Sequence, residues 1–187
     1  QHQGFRPFAP PDQTQDTTRT RKILSIQGEG AEKRWLLEEK WGAGEGPAAV
    51  WFINADKCSE KIEAGENFVM NFKPCLPVDW SSLETGKEWN VNSETSINGN
   101  TSKFQYAAKR LEDETVTVPA GEFKNAARVQ VAVTISFTTD QGERSFKMNE
   151  TYWYHPDVNG FVKETIEFVP PAGGEGPRDP LKGTSVL

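Results

Sequence analysis

The clearest hydrophobic pattern in the chain is a strict alternation of large apolar residues with polar or small ones along residues 129–137. An alternation of period two places every large apolar side chain on one face, as in a half-buried β-strand. The alternation resumes along residues 146–154 and 162–168, and turn-forming residues separate the three segments at 140–142 and 157–160. Consecutive strands joined by short turns pair as hairpins. The pattern therefore predicts a three-stranded antiparallel meander.

A second hairpin is predicted upstream, around the dipeptide Asn98–Gly99. Apolar residues flank this dipeptide within 89–97 and 104–106, and Asn-Gly is the preferred pair for a two-residue hairpin turn. Residues 114–118 are predicted to form a short strand, which Pro119 ends because proline has no N–H for a ladder hydrogen bond.

The segment from Ala31 to Trp41 is ambiguous between helix and strand. Its Ala, Glu, Lys, Arg and Leu residues favour a helix, whereas its tryptophans and one leucine alternate as they would in a strand. We favour the strand, because the glycine-rich residues 42–46 and the apolar residues 50–53 that follow would complete another hairpin.

Strands at this spacing, with little helical signal, predict an all-β fold in which an antiparallel meander forms a curved sheet, a half-barrel or a sandwich. Proline, glycine and polar residues dominate both ends of the chain. We therefore expect an extended lead-in or linker over 1–20, a single antiparallel β domain over 21–169, and a Pro/Gly-rich tail over 170–187. A curved sheet would have either a filled interior or a ligand cavity on its concave side.

Composition limits the partners of this chain. Its 187 residues fit one core of ordinary size. The net charge of -6 argues against a nucleic-acid partner, because nucleic-acid binders present a concentrated basic face. No apolar stretch approaches the roughly 20 residues of a transmembrane helix. Because the chain opens on Gln1 without Met, a cleaved leader or a lipid anchor upstream of Gln1 stays an open alternative.

The two cysteines, Cys58 and Cys75, lie on what could be the two arms of one hairpin. A disulfide between them would stabilise the fold by roughly 3 kcal/mol in the chain-entropy model. Two buried free thiols are the alternative. We favour the disulfide, which fits an extracytoplasmic location, in the periplasm, the cell envelope or the surroundings of the cell.

The sequence shows no pattern typical of a catalytic or metal site. It contains no G-x-S-x-G, and its only histidine outside the lead-in is His155, which we expect to be a turn-exposed imidazole. Adjacent carboxylates such as Glu38 and Glu39 point to opposite faces of a strand, so we expect solvated charges rather than an acid/base pair. The sequence predicts no metal site and no cofactor.

The tryptophans are the one feature with a functional implication. Trp153 points to the strand face opposite its two tyrosine neighbours, so one face carries aromatic residues outside the main core. Exposed tryptophans could stack on a sugar ring or receive an apolar ligand or partner. The alternative is a tryptophan-rich core packed in two layers. The candidate ligand-binding residues are Trp35, Trp41, Trp51 and Trp153.

Two motifs in order resemble the TapB-like family of exported bacterial proteins of unknown function. They are TVPAGEF at residues 117–123 and WYHPDVNGFVK at residues 153–163, preceded by a stretch at 83–89 with Leu, Gly, Lys and Trp at similar spacing. The resemblance covers about residues 77–168. It implies an all-β envelope or secreted domain, often anchored as a lipoprotein, with no established catalytic residues. The chain departs from the family at Asn159 and shows no anchoring cysteine near its start.

Three functional hypotheses follow from the sequence. The first is a non-enzymatic extracytoplasmic module that binds a partner protein, a polymer or an apolar ligand. The second is a small hydrolase whose site consists of scattered carboxylates and His155. The third is a structural domain of a larger envelope assembly.

Overall fold

The computed structural model describes residues 19–41, 48–65, 68–78, 81, 83–97, 100–139, 142–158, 160–169 and 181–186. Almost all of them are in β-strands, and a single 3-10 turn at Gly30–Glu32 connects the first two strands. The strands are β1 (Arg19–Gln27), β2 (Arg34–Trp41), β3 (Ala49–Asn54), β4 (Cys58–Ala64), β5 (Phe68–Pro77), β6 (Glu88–Ile97), β7 (Asn100–Arg110), β8 (Glu114–Val118), β9 (Gly121–Thr139), β10 (Gly142–Tyr154), β11 (Phe161–Val169) and β12 (Leu181–Val186).

All pairings are antiparallel, and the strands follow one continuous path from β1 to β12 in chain order, except that β8 pairs only with β9. The meander of β9, β10 and β11 confirms the prediction from the alternating pattern. The hairpin of β6 and β7 and that of β2 and β3 are confirmed as well. The fold is therefore the predicted all-β class, in the form of a single curved sheet.

The main core lies on one face of the central strands. Val129, Val131 and Val133 of β9 are almost fully buried, and they cluster with Ala108 of β7 and Tyr154 of β10. Period two places these three valines on the same face, so each methyl group loses its contact with water when that face is covered. The alternation visible in the sequence is thus the alternation between this inner face and the outer face of the sheet.

A second, smaller core lies on the outer face of β10 and β11. Because β9 has 19 residues, its first part can pair with β8 while its later part pairs with β7 and β10. The β8–β9 hairpin covers the side chains of Trp153 and Val162, which are buried together with Val116, Val118 and Ala126. The motif TVPAGEF, which spans this hairpin, therefore contributes to packing.

The predicted disulfide is present. Cys58 at the start of β4 is bonded to Cys75 near the end of β5, with 5.6 Å between their Cα atoms. β5 pairs with β4 along most of its length but with β6 at a single position, Lys73 with Glu94. The disulfide therefore joins β5 to β4 at Cys75, two residues after Lys73, the position where β5 pairs with β6.

The predicted tail over 170–187 is wrong for its last part, because Leu181–Val186 form β12 and pair with β11. The segment has weak alternation of its own, and its strand depends on backbone hydrogen bonds to β11. The domain also begins two residues earlier than predicted, at Arg19. The rest of the predicted lead-in (1–18), the predicted turns at 42–47, 98–99 and 140–141, position 159 and the predicted tail over 170–180 lie outside the described residues.

Candidate functional site

The inner face of the curved sheet bounds a cavity of about 1070 Å³. Strands β1 to β5 form one wall, and β7, β9, β10 and β11 form the other. The curvature brings β1 close to β11, which is far from it along the sheet, so that the Arg21 guanidinium lies 4.9 Å from the centre of the Phe161 ring. The cavity therefore results from the curvature of the whole sheet rather than from a single loop.

The wall formed by β2 to β5 is almost entirely apolar. Its side chains come from alternate positions of each strand, which is the spacing that places them on one face. Phe72 of this wall meets Phe104 of β7 edge to face, with 5.7 Å between ring centres. The cavity-lining residues of this wall include Trp35, Leu37, Trp51, Ile53, Ile62, Phe68, Met70, Phe72 and Leu76.

The opposite wall combines apolar and aromatic groups. Tyr152 and Tyr154 of β10 contact Phe161 of β11, with ring-centre distances of 5.4 and 6.4 Å. Val131 and Met148 line the cavity beside them. Aromatic pairs in such offset or edge-to-face geometry add stabilisation beyond their buried area, so these three rings stabilise this wall.

A few polar groups interrupt these walls. Glu39 is buried, contrary to the prediction of a solvated carboxylate, and accepts a 2.8 Å hydrogen bond from Arg21 Nε. Glu150 accepts a 2.8 Å hydrogen bond from the Tyr152 hydroxyl. Burial, and after it the negative charge of Glu150, raises the pKa of the Tyr106 phenol. Tyr106 is therefore neutral and protonated at physiological pH.

Two cations lie close to the Trp35 ring. The ammonium groups of Lys33 and Lys57 are 4.8 and 4.7 Å from the centre of its ring. Both distances are within the range of cation–π attraction, which holds a lysine against the ring face. Since Trp35 and Lys57 both line the cavity, this end of the cavity combines an indole with positive charge.

The structure brings together two of the four candidate tryptophans. Trp35 and Trp51 line the same wall of the cavity. Trp153 lies in the second core on the outer face, 6% exposed, and its Nε1 donates a 3.1 Å hydrogen bond to Glu114. The side chain of Trp41 lies outside the described residues, although its backbone ends β2.

Sequence reasoning did not identify the aliphatic and phenylalanine side chains of the cavity. The signal was available in β5, where Phe68, Met70 and Phe72 alternate with Val69 and other outward-facing residues. Val69 is 38% exposed, which agrees with its position on the outer face. Such an alternation is typical of a half-buried strand, but it does not indicate that the buried face lines a cavity.

The His155 side chain is only 13% exposed, so it is less accessible than the predicted turn imidazole. Its Nδ1 accepts a 3.3 Å hydrogen bond from the Asp157 amide, and its Nε2 lies 3.2 Å from the Lys124 carbonyl oxygen. Its ring packs against Phe123 at 5.3 Å. Because both ring nitrogens have backbone partners, the imidazole fixes the β10–β11 turn against the start of β9.

The outer face of the sheet has a different chemistry. A depression of about 640 Å³ there is lined mostly by polar or small side chains, among them Lys109, Gln130, Asn149, Thr151 and Thr165. Among the residues that the structure describes, no group of three His, Cys, Asp or Glu side chains is placed to hold a metal ion. The described part of the chain also has no helix long and apolar enough to cross a membrane.

Comparison of the chain with protein-family models, with curated proteins and with solved structures finds no match in any of the three. The resemblance to the TapB-like family therefore stays a prediction.

Proposed function

We propose that this protein is a non-enzymatic binding module that takes up an apolar or amphipathic small molecule in the cavity of its curved sheet. The observation that carries the proposal is the cavity of about 1070 Å³ with walls of aliphatic and aromatic side chains. Ligand pockets are concave, mostly apolar and about 300–1,000 Å³ in volume, with a few placed polar groups. The cavity matches this description in its lining, and its volume of about 1070 Å³ is slightly above this size range.

The chemistry of the walls favours an apolar ligand over a sugar polymer. Transfer of apolar surface from water to an apolar environment is favourable in proportion to the area removed. Side chains such as Leu37, Ile62 and Met70 can supply that contact but cannot hydrogen-bond to the hydroxyls of a glycan. A buried hydroxyl without a partner would lower affinity.

An extracytoplasmic location is part of the proposal. The Cys58–Cys75 disulfide supports it, because such bonds persist in oxidising compartments and are rare in the cytosol. A protein that carries or senses apolar molecules in the cell envelope would need both an apolar cavity and stability in an oxidising compartment.

A fluorescence titration with N-phenyl-1-naphthylamine, a neutral apolar probe, tests the proposal. We expect the probe to bind the wild-type protein, and Met70→Glu to lower its affinity at least about tenfold, since that change places a charge in the apolar wall. The matched control is Val69→Glu, which adds the same charge to the same strand on the outer face. This control should leave the affinity within about twofold.

Circular dichroism of both variants would verify that the sheet is intact. Absence of probe binding to the wild-type protein would contradict the proposal and favour a structural role in an envelope assembly. Equal affinities of the two folded variants would show that the probe binds outside the cavity.

A further inference from the structure

One end of the cavity carries positive charge without a carboxylate partner among the described residues. The ammonium groups of Lys33 and Lys57 lie 4.8 and 4.7 Å from the centre of the Trp35 ring, and both Trp35 and Lys57 line the cavity. Within the described part of the chain, neither ammonium group forms an ion pair. An ammonium group held against a ring face keeps N–H donors for an anion.

The backbone of Lys57 is fixed in the turn between β3 and β4. Lys57 has a φ angle of +59°, a left-handed conformation that is uncommon for residues other than glycine. The Asn54 side-chain oxygen holds this turn by accepting hydrogen bonds from the amides of Asp56 and Cys58, at 3.0 and 3.1 Å. The Val78 amide donates a 3.0 Å hydrogen bond to the Lys57 carbonyl oxygen. The side chain of Lys57 therefore starts from a defined position at this end of the cavity.

A row of apolar side chains lies next to this charged end. Trp35 and Leu37 share the inner face of β2 two residues apart, so the row begins about 7 Å from Trp35. The row consists of direct partners across β2, β3, β4 and β5, namely Leu37, Trp51, Ile62 and Met70. All four line the cavity. The wall therefore changes from cationic to hydrocarbon over a short distance.

The carboxylates that line the cavity are not partners of Lys57. Glu39 lies four residues beyond Trp35 on β2, about 13 Å along the strand, and accepts the 2.8 Å hydrogen bond from Arg21. Glu150 and Glu164 belong to the opposite wall, on β10 and β11. Because Arg21 is engaged by Glu39, Lys57 is the lysine or arginine of the described lining that remains for an external anion.

We infer that the cavity binds an anionic amphiphile, a single-chain molecule whose carboxylate or phosphate group lies against the Lys57 ammonium and whose alkyl chain covers the apolar row. The inference rests on the proposed function and names the class of ligand for the same cavity. Because Lys57 is exposed, the headgroup keeps contact with water and avoids most of the cost of burying a charge. The alkyl chain gains the free energy of apolar burial along the row.

The experiment measures the displacement of bound N-phenyl-1-naphthylamine by three ligands that share one alkyl chain: decanoate, decyl phosphate and decan-1-ol. At about pH 8 the first two are anionic, whereas the alcohol is neutral. Lys57→Gln removes the charge and keeps a long polar side chain. We expect this change to weaken one or both anions about threefold to tenfold, between the effects of an exposed ion pair and of a charged hydrogen bond. The affinity for the alcohol should stay within about twofold, and the anion with the larger loss identifies the headgroup.

Lys163→Gln is the matched control. The Lys163 ammonium lies 4.7 Å from the centre of the Trp153 ring, the same distance as Lys57 from Trp35, but Trp153 belongs to the second core on the outer face. The control therefore removes the same charge from the same kind of contact outside the cavity, and it should leave all three affinities within about twofold. Equal losses of anion affinity in the two variants, no loss in Lys57→Gln, or an equal loss for the alcohol would overturn the inference.

The two proposals fail in different ways. If N-phenyl-1-naphthylamine does not bind the wild-type protein, both the binding function and the role of Lys57 are refuted. If the probe binds but neither anion displaces it, or both anions displace it equally well from the wild-type protein and from Lys57→Gln, only the inference about the anionic headgroup is refuted. If Lys57→Gln does not fold, Lys57→Gly takes its place, because glycine adopts a φ angle of +59° without strain, and the same losses are expected.

Discussion

Opening the Cys58–Cys75 bond removes the covalent link between β4 and β5 and tests how much of the stability of the sheet depends on it. The two residues are 17 positions apart. In the chain-entropy model, closing a loop of this length stabilises the folded state by about 3 kcal/mol, because the unfolded chain loses conformations. In a domain of this size 1 kcal/mol corresponds to about 2–4 °C, so the expected loss in melting temperature is roughly 6–12 °C.

The assay is thermal and urea unfolding of three samples: the oxidised protein, the protein refolded under reductant, and the Cys58→Ala/Cys75→Ala variant. The reduced protein keeps both sulfur atoms in place, so its loss reports the cross-link alone. Because the Cys58 side chain is only 8% exposed, the double alanine variant should be less stable than the reduced protein by a further ~1 kcal/mol of lost packing. Intact mass after alkylation would verify the redox state of each sample.

Equal unfolding midpoints of the oxidised and fully reduced proteins would refute the entropic argument. Such a result would mean that the contacts between β4 and β5 already restrict the unfolded chain, or that the native bond is strained enough to offset its benefit.

Two further predictions concern the β1–β2 connection and the cavity. Gly28 and Gly30 both have positive φ angles, +69° and +55°. They differ in the space around them: a Cβ added at Gly28 would lie 2.6 Å from the Glu32 carbonyl oxygen, whereas a Cβ added at Gly30 would meet nothing within 4 Å. Gly28→Ala should therefore lower the urea midpoint more than Gly30→Ala does. The Gly30→Ala change should cost only the backbone strain of a positive φ angle, about 1–2 kcal/mol. Equal midpoints of the two variants would contradict the steric argument. Since the pKa of Tyr106 is raised by burial and by Glu150, its contribution to stability is present below pH ~10 and is lost as the pH rises from there toward the folded-state pKa. Tyr106→Phe should flatten the fall in unfolding free energy above pH ~10, measured by urea titrations at each pH, and an unchanged slope would refute this assignment.

Local patterns in the sequence predicted most of the strands. The alternation along 129–137 was sufficient because the period of two depends only on the strand backbone, and the chain there has no competing helical signal. The same reasoning resolved residues 34–41 as a strand, since the following segment offered a hairpin partner. It failed for β12, whose sequence carries little alternation and whose structure depends on an edge provided by β11.

The candidate site was only partly predictable. Trp35 and Trp51 were identified from residue type, whereas Trp153 was assigned to the same group and lies on the opposite face. Its position depends on the β8–β9 hairpin, which covers the outer face of β10. Contacts of that kind join residues about 40 positions apart, such as Trp153 and Glu114, and no local pattern encodes them.

The sequence by itself determined most of the strands, which of their side chains share a face, and that Cys58 and Cys75 could pair, because each of these follows from local geometry. Only the tertiary structure decided that the shared face is concave and bounds a cavity. The reason is that curvature arises from the accumulated twist and pairing of all the strands, which brings Arg21 of β1 to Phe161 of β11. A period of two specifies a face, and the sheet as a whole determines what that face encloses.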